Sequence, residues 1–232
     1  MKEEIAYLIG ALRDGNFSEV SSEGIYRIRF YQKSRLWLEF LEKIIEDNFG
    51  KKAGFYLDAR HEVWCLSITS KEIYRELTQI SEYAGDQATW KMPSWIVCGL
   101  PRLKKAYVRG FFDAEGSVNS LEKCSKPAEK DIGIYLAQAN KAVLEEIRQV
   151  LLDFGIRCGR VCGPYVKKGA STEMYALIVH GSAQVLNFYN CFDSSHPEKV
   201  LRFNLLKSAK KGDKDSSVAS PRSVWPSEGK VL

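Results

Sequence analysis

The chain contains itself twice. Ala6-Tyr7-Leu8-Ile9-Gly10 returns as Ala106-Tyr107-Val108-Arg109-Gly110. Phe49-Gly50 returns as Phe154-Gly155, and Glu62-Val63-Trp64-Cys65-Leu66 as Glu173-Met174-Tyr175-Ala176-Leu177. The order is the same in both copies, and the separation grows from 100 to 111 residues as loops lengthen. A duplication of this kind means that one supersecondary plan is built twice, with the copies packed against each other.

Each copy reads as a helix, a strand pair, a second helix, a second strand pair and a closing helix. The first helix is apolar nearly all round, which implies burial on several sides. Residues 34–49 and 141–154 carry apolar side chains at helical spacing (Leu38, Leu41, Ile45, Phe49; Val143, Ile147, Leu151), and each run stops at Phe-Gly. Short alternating runs between them fit antiparallel strands. The expected fold class is therefore α+β, in two pseudo-symmetric αββαββα units. Residues 1–90 form the first unit, 91–103 a linker with Pro93, Gly99 and Pro101, and 104–206 the second unit. From Lys207 to Leu232 the composition turns to Lys, Ser, Asp and Pro, which predicts a basic, disordered tail.

Composition excludes more than it selects. No apolar run approaches the roughly 18 residues of a membrane span, and Met1-Lys2-Glu3-Glu4 does not open a signal peptide. The protein is expected to remain intracellular, in the cytoplasm or in the organelle that makes it. Cys65, Cys98, Cys124, Cys158, Cys162 and Cys191 include no C-x-x-C pair, and they read as buried thiols rather than as disulfides or a zinc site. Of the formal charge of +5, residues 207–232 hold +3 (six Lys or Arg against three acids), which leaves +2 for residues 1–206. A nucleic-acid surface must then be a local concentration of basic side chains.

The chemistry sits at the ends of the duplicated first helices. Ala6 with Gly10, and Ala106 with Gly110, put two small residues one turn apart on one helix face, where two backbones can approach closely. One copy continues to Asp14-Gly15 and the other to Glu115-Gly116, so each helix ends in an acid and a helix-stopping glycine. Helices packed through the small residues bring Asp14 and Glu115 together. Two carboxylates in close company repel unless a cation lies between them, which points to a divalent metal. The alternative, that each acid only solvates a helix end, runs against the helix dipole. Gly10 and Asp14 are four residues apart whereas Gly110 and Glu115 are five, so the first motif is one residue short. In a continuous helix the loss of one residue turns every later side chain by about 100°.

In Tyr26-Arg27-Ile28-Arg29-Phe30-Tyr31-Gln32-Lys33, strand alternation sends Ile28 and Phe30 one way and Arg27, Arg29, Tyr31 and Lys33 the other. Strand ribbons fit the major groove and arginine suits a bidentate bond to guanine, so the basic strip is a candidate DNA surface, with an ordinary solvated strand face as the alternative. Its counterpart around Tyr135 lacks the arginines, so the halves are expected to read different sequences. Arg35, Lys51, Lys52, Arg60, His61, Arg160, Lys167 and Lys168 fall at element ends and turns, where they are candidate phosphate contacts or plain surface charges. His180 and His196 have no evident partner. No Ser-His-Asp or Cys-His set and no glycine-rich phosphate loop offers other chemistry.

Tyr107-Val-Arg-Gly-Phe-Phe-Asp-Ala-Glu-Gly116 resembles the second motif of a two-motif LAGLIDADG homing endonuclease, and Leu8-Ile-Gly-Ala-Leu-Arg-Asp-Gly15 the first. The resemblance covers roughly residues 5–206. It implies antiparallel sheets forming a saddle over the DNA major groove, with Asp14 and Glu115 as ligands of a catalytic Mg2+ or Mn2+. It also makes Gln32, Lys33 and Gln138 secondary active-site candidates near the scissile phosphates, with a plain polar strand end as the alternative. The implied activity is double-strand cleavage of a long, non-palindromic target, leaving short 3′ overhangs, by a monomer encoded within an intron or intein. The family also implies an alternative, because some members are maturases acting on their own intron RNA and others bind DNA without cutting it. The short first motif keeps that alternative open.

Overall fold

The computed structural model describes residues 2–119, 132–166 and 171–215. The first copy runs α1 (Lys2–Ala11), a 3₁₀ turn (Leu12–Asp14), β1 (Gly15–Val20), β2 (Ile25–Gln32), α2 (Arg35–Phe49), β3 (Gly54–Asp58), β4 (Val63–Thr69) and α3 (Lys71–Ile80). A short α4 (Ser94–Val97) lies in the connection. The second copy runs α5 (Pro101–Glu115), β5 (Gly116–Val118), β6 (Gly133–Gln138), α6 (Lys141–Asp153), β7 (Cys162–Val166), β8 (Glu173–His180) and α7 (Ser182–Phe192), and α8 (Pro197–Asp215) comes last. The strands form two antiparallel sheets of the same order, β1-β2-β4-β3 and β5-β6-β8-β7. The α+β duplication read from the sequence is thus the architecture.

Local signals fix the helix ends in both copies. Ser34 Oγ accepts from Trp37 N at the start of α2, and Asn140 Oδ1 accepts from Val143 N at the start of α6. Gly50 and Gly155, at φ +65° and +73°, end these helices in the left-handed region that a side chain resists. Along β2 and β6 alternate residues turn inward: Ile28, Phe30, Ile134 and Leu136 are buried, and the residues between them are half-exposed.

The apolar residues of both copies join in a single core around α1 and α5. Every residue from Ala6 to Leu12 is buried, which accounts for the all-round apolar character of that segment. Each fully buried large side chain there contributes roughly 1.5–3 kcal/mol.

The connection is packed: Trp90, Met92, Ile96 and Leu103 are buried, and α5 starts at Pro101, the helix position where proline costs nothing. Two expectations change. Residues 207–215 are helical as the end of α8, because lysine-rich sequence is a good helix former and an apolar side of the same helix (Phe203, Leu206) is anchored in the core. Finally, only Cys65 is buried. Cys158 and Cys191 are half-buried, Cys98 and Cys162 are exposed, and Cys124 lies outside the described residues. All five described cysteines are free thiols.

Candidate functional site

Helices α1 and α5 meet backbone to backbone. A Cβ added at Gly10 would lie 2.2 Å from the Tyr107 carbonyl oxygen, and one added at Gly110 would lie 2.0 Å from the Tyr7 carbonyl oxygen. No side chain fits in either gap, so both positions require glycine. Ala6 is buried in the same contact, and Ala106 lies half-buried at its rim. The 7-10-11 positions of one helix face the 107-110-111 positions of the other, so the two helices run in matched register to the same end.

At that end the missing residue is recovered by a change of helix type. From Gly10 the chain takes one α step and then three 3₁₀ steps to Asp14, whereas from Gly110 it takes five α steps to Glu115. With a rise of about 2.0 Å per 3₁₀ residue against about 1.5 Å per α residue, both paths climb about 7.5 Å. Three 3₁₀ residues turn about 360° where four α residues turn about 400°, so the mismatch shrinks from about 100° to about 40°. The two acids therefore arrive at the same height, close enough that the charge of Asp14 raises the pKa of Glu115.

Both carboxyls are half-buried. Desolvation pushes Asp14 up to about 7, and desolvation together with the charge of Asp14 pushes Glu115 up to about 8. Each is held by a glutamine at the end of a strand. Gln32 Nε2 lies 3.4 Å from Asp14 Oδ2, and Gln138 Nε2 donates to Glu115 Oε1 at 3.0 Å. The amide oxygens are occupied alike: Gln32 Oε1 accepts from Lys33 N at 2.9 Å and Gln138 Oε1 from Ala139 N at 2.8 Å. With its oxygen engaged by the next backbone N–H, each amide turns its NH2 toward a carboxylate. Lys33 enters this arrangement only through that backbone N–H; its side chain is exposed, and the equivalent position in the second copy is Ala139.

Three residues around the pair carry no signal in the sequence. Lys199, from α8, is buried and donates to the carbonyl oxygens of Phe112 and of Asp113, the latter at 2.7 Å. Burial lowers its pKa to about 8 against the pull of Asp113, Asp14 and Glu115, so it stands as a positive charge behind the carboxylates. Asp113 is buried and accepts from Tyr7 Oη at 2.7 Å, from Ser195 N at 2.8 Å and from Ser194 Oγ. Arg13, buried beside Asp14, donates to Trp90 O at 2.6 Å, to Lys91 O at 2.9 Å and to Tyr107 Oη at 2.9 Å. Its guanidinium lies over the Trp90 ring, 4.0 Å from the centroid. His196, a histidine without an evident partner in the sequence, is buried against Trp37, and desolvation lowers its pKa to about 4.

The side of the first sheet away from its helices carries Arg27, Arg29 and Tyr31. Asn16 pairs with Arg29 across β1, and Ser67 pairs with it across β4. Arg29 Nε and Asn16 Oδ1 are both buried without a hydrogen-bond partner, a donor and an acceptor side by side on the candidate DNA face. Tyr135 occupies the matching side of the second sheet. Of the peripheral candidates, Lys51, Arg60, His61 and Arg160 are exposed at element ends. Lys52 lies 3.7 Å from Glu46, and His61 is held 2.9 Å from Asp58. Arg35 is the least available: it pairs with Glu39 at 2.9 Å and stacks 4.8 Å over Trp64. Lys167 and Lys168 lie outside the described residues.

Residues 102–190 match the family model described as a LAGLIDADG-like domain. The match lies within the second copy, and the duplicated fold is similar to that of the homing endonuclease I-DmoI. The homing endonuclease I-ApeI of Aeropyrum pernix is 27% identical over 208 residues, spanning 86% of this chain and 85% of its own. Among solved structures, the homing endonuclease I-DmoI in complex with DNA and Ca superposes with a TM-score of 0.62 at 20% identity, over 86% of this chain and 96% of that one. The homing endonuclease I-WcaI, bound to its DNA recognition sequence, gives 0.55 at 13% identity, over 88% and 86%.

Proposed function

We propose that this chain is a site-specific DNA endonuclease that cuts both strands of a long, non-palindromic duplex by divalent-metal-dependent phosphodiester hydrolysis. The observation that carries the reading is the pairing of Asp14 and Glu115 at one end of the α1–α5 interface, each oriented by a strand-end glutamine.

The residues present fit a hard divalent cation such as Mg2+ or Mn2+. Two desolvated carboxylates, one raising the pKa of the other, gain most from a cation between them, and their oxygens are the donor type such ions take. Among the described residues no third Asp, Glu, His or Cys joins them, which leaves coordination positions for water and for phosphate oxygens. When bound, such an ion polarises the phosphate and lowers the pKa of its water. The protein's own part is positional. Gly10 and Gly110 set the separation of the carboxylates, Gln32 and Gln138 set their orientation, and Lys199 offsets part of their charge from behind. Mn, Ca and Mg each accompany I-DmoI–DNA complexes, in line with this assignment.

The first sheet, through Arg27, Arg29 and Tyr31, would read bases in the major groove, while Lys51, Lys52, Arg60, His61 and Arg160 would hold phosphates without specifying sequence. With both motifs in one chain, a monomer suffices. The 3₁₀ turn restores the height of Asp14, which weakens the ground for a non-cleaving maturase.

The test is to incubate a randomised duplex library with the protein and Mg2+ and to sequence the ends produced. Cuts in both strands at one long, asymmetric consensus, abolished by EDTA, are expected. Specific binding of duplex or intron RNA with no cutting under Mg2+ or Mn2+ would overturn the reading.

A further inference from the structure

The two sheets present opposite chemistry on the sides turned away from their helices. In the first, Arg27 and Arg29 stand among Asn16, Ser18, Ser67 and Thr69. In the second, the matching positions are Ser117, Tyr135, Ala137, Ala176 and Ile178. Tyr135 pairs with Ser117 on one side and Ile178 on the other, and Ala137 pairs with Ala176. The four strands of this sheet contain no lysine or arginine, and their one formally charged residue, Glu173, lies at the start of β8.

Tyr135, Ala137, Ala176 and Ile178 are half-exposed and Ser117 is exposed, whereas Ile134, Leu136, Leu177 and Val179, which alternate with them, are fully buried. At Gly133 an added Cβ would stand 3.2 Å from Tyr135 Cε2 and 3.7 Å from Ile178 Cγ2, so the ring and the branched side chain meet over the glycine. The result is a largely apolar floor, with the Ser117 and Tyr135 hydroxyls at one side, where the first sheet has two arginines.

The apolar side chains of this floor offer no partner to the polar atoms on the edge of either base pair, so apolar contact is what can distinguish one pair from another. The major groove carries one apolar feature, the thymine C5 methyl. Resting on the nuclease reading, we infer that the β6–β8 face selects thymine in the part of the target that it covers, through contacts of Ala137, Ala176 and Ile178 with thymine methyl groups. The first half recognises guanine through its arginines. The two halves of the target therefore differ in composition as well as in sequence, and the chain docks in one orientation because only one half-site suits each sheet.

The experiment has two stages. Duplexes are first selected from a randomised library by binding in Ca2+, and the consensus is then resynthesised with deoxyuridine in place of thymidine in one half-site at a time, which removes the methyl and changes nothing else. The expected consensus is A·T-rich in one half-site. Substitution there weakens binding roughly fourfold per contacted thymine, one methyl's worth of apolar burial, and substitution in the other half-site has no effect. Ile178→Ala should reduce the deoxyuridine effect by the share of the thymine that Ile178 contacts, while Arg29→Ala keeps the discrimination. The modified DNA needs no variant protein, so a folding defect cannot mask the result. Enrichment of a specific duplex with no deoxyuridine effect, or an equal effect in both halves, overturns this inference and leaves the nuclease reading standing. Enrichment of no duplex at all overturns both.

Discussion

Gly10 and Gly110 each occupy a gap closed by the other helix: the absent Cβ of one would meet the carbonyl oxygen of Tyr107, and that of the other the carbonyl oxygen of Tyr7. Backbone lies on the far side, so a methyl group can be accommodated only by separating the helices. Gly110→Ala is expected to cost on the order of 2–4 kcal/mol in urea denaturation. It should also slow cleavage under conditions where the protein is still folded, because the carboxylates move apart with the helices. A substitution that changes stability by less than about 0.5 kcal/mol would contradict the close approach.

Arg13 joins three parts of the chain that the sequence keeps far apart: its own helix end, the connection at Trp90 and Lys91, and Tyr107 of α5. Lysine keeps the charge but lacks the planar fork, so Arg13→Lys leaves buried acceptors unmet. A loss of about 2–4 kcal/mol of stability is expected, again in urea denaturation. Equal stability of the two proteins would show that the guanidinium is not what holds the connection in place.

Metal-free protein should become less stable as pH rises through neutrality. Asp14 and Glu115 hold their protons to about pH 7 and about pH 8 in the folded chain, against ordinary values of 3.8 and 4.5. The unfolded chain therefore ionises first, and the folded state is penalised increasingly from about pH 4 until both groups are charged above about pH 8. Asp14→Asn with Glu115→Gln removes that penalty. In EDTA the stability advantage of the double variant should widen by on the order of 2–4 kcal/mol between pH 5 and pH 8.5. His196, depressed to about 4, has the opposite effect on the acid side, but it is common to both proteins and cancels in the comparison. A constant advantage across that range would contradict the desolvated pair.

Arg29 and Lys51 should fail in different ways. Arg29 is half-exposed on the candidate DNA face, and Arg29→Ala is expected to cost about 1–3 kcal/mol of binding and to relax preference at one base pair. Lys51 is exposed at the end of α2, and Lys51→Ala should weaken all duplexes about equally while lowering the salt dependence by about one counterion. Salt titrations of both variants on matched and mismatched duplexes separate the two roles.

Most of the fold was legible because its determinants are local. The alternation in β2 and the glycine stops at Gly50 and Gly155 each act within a few residues, and the duplication doubled the signals. The carboxylate pair was legible for the same reason: two acids stand at equivalent helix ends. The 3₁₀ turn was not, since a four-residue spacing says that one residue is missing but not whether the chain tightens or the acid swings away. Lys199 and Arg13 were beyond reach. Their partners lie 86 and 77 residues away at Asp113 and Trp90, and a lone lysine or arginine looks the same in sequence whether exposed or buried. The helix over 207–215 was masked by a composition that disordered and helical segments share.

The most direct test of the central claim, that Asp14 and Glu115 together form one catalytic centre, is single-turnover cleavage of a selected duplex in Mg2+ with each strand followed separately. Wild type, Asp14→Asn and Glu115→Gln are compared after their equal binding in Ca2+ has been established. Wild type is expected to cut both strands, and each single substitution to slow cutting of at least one strand by about a thousandfold or more, the several kcal/mol that metal-assisted charge stabilisation supplies. Wild-type rates on both strands from either variant would show that the pair is not where the chemistry occurs.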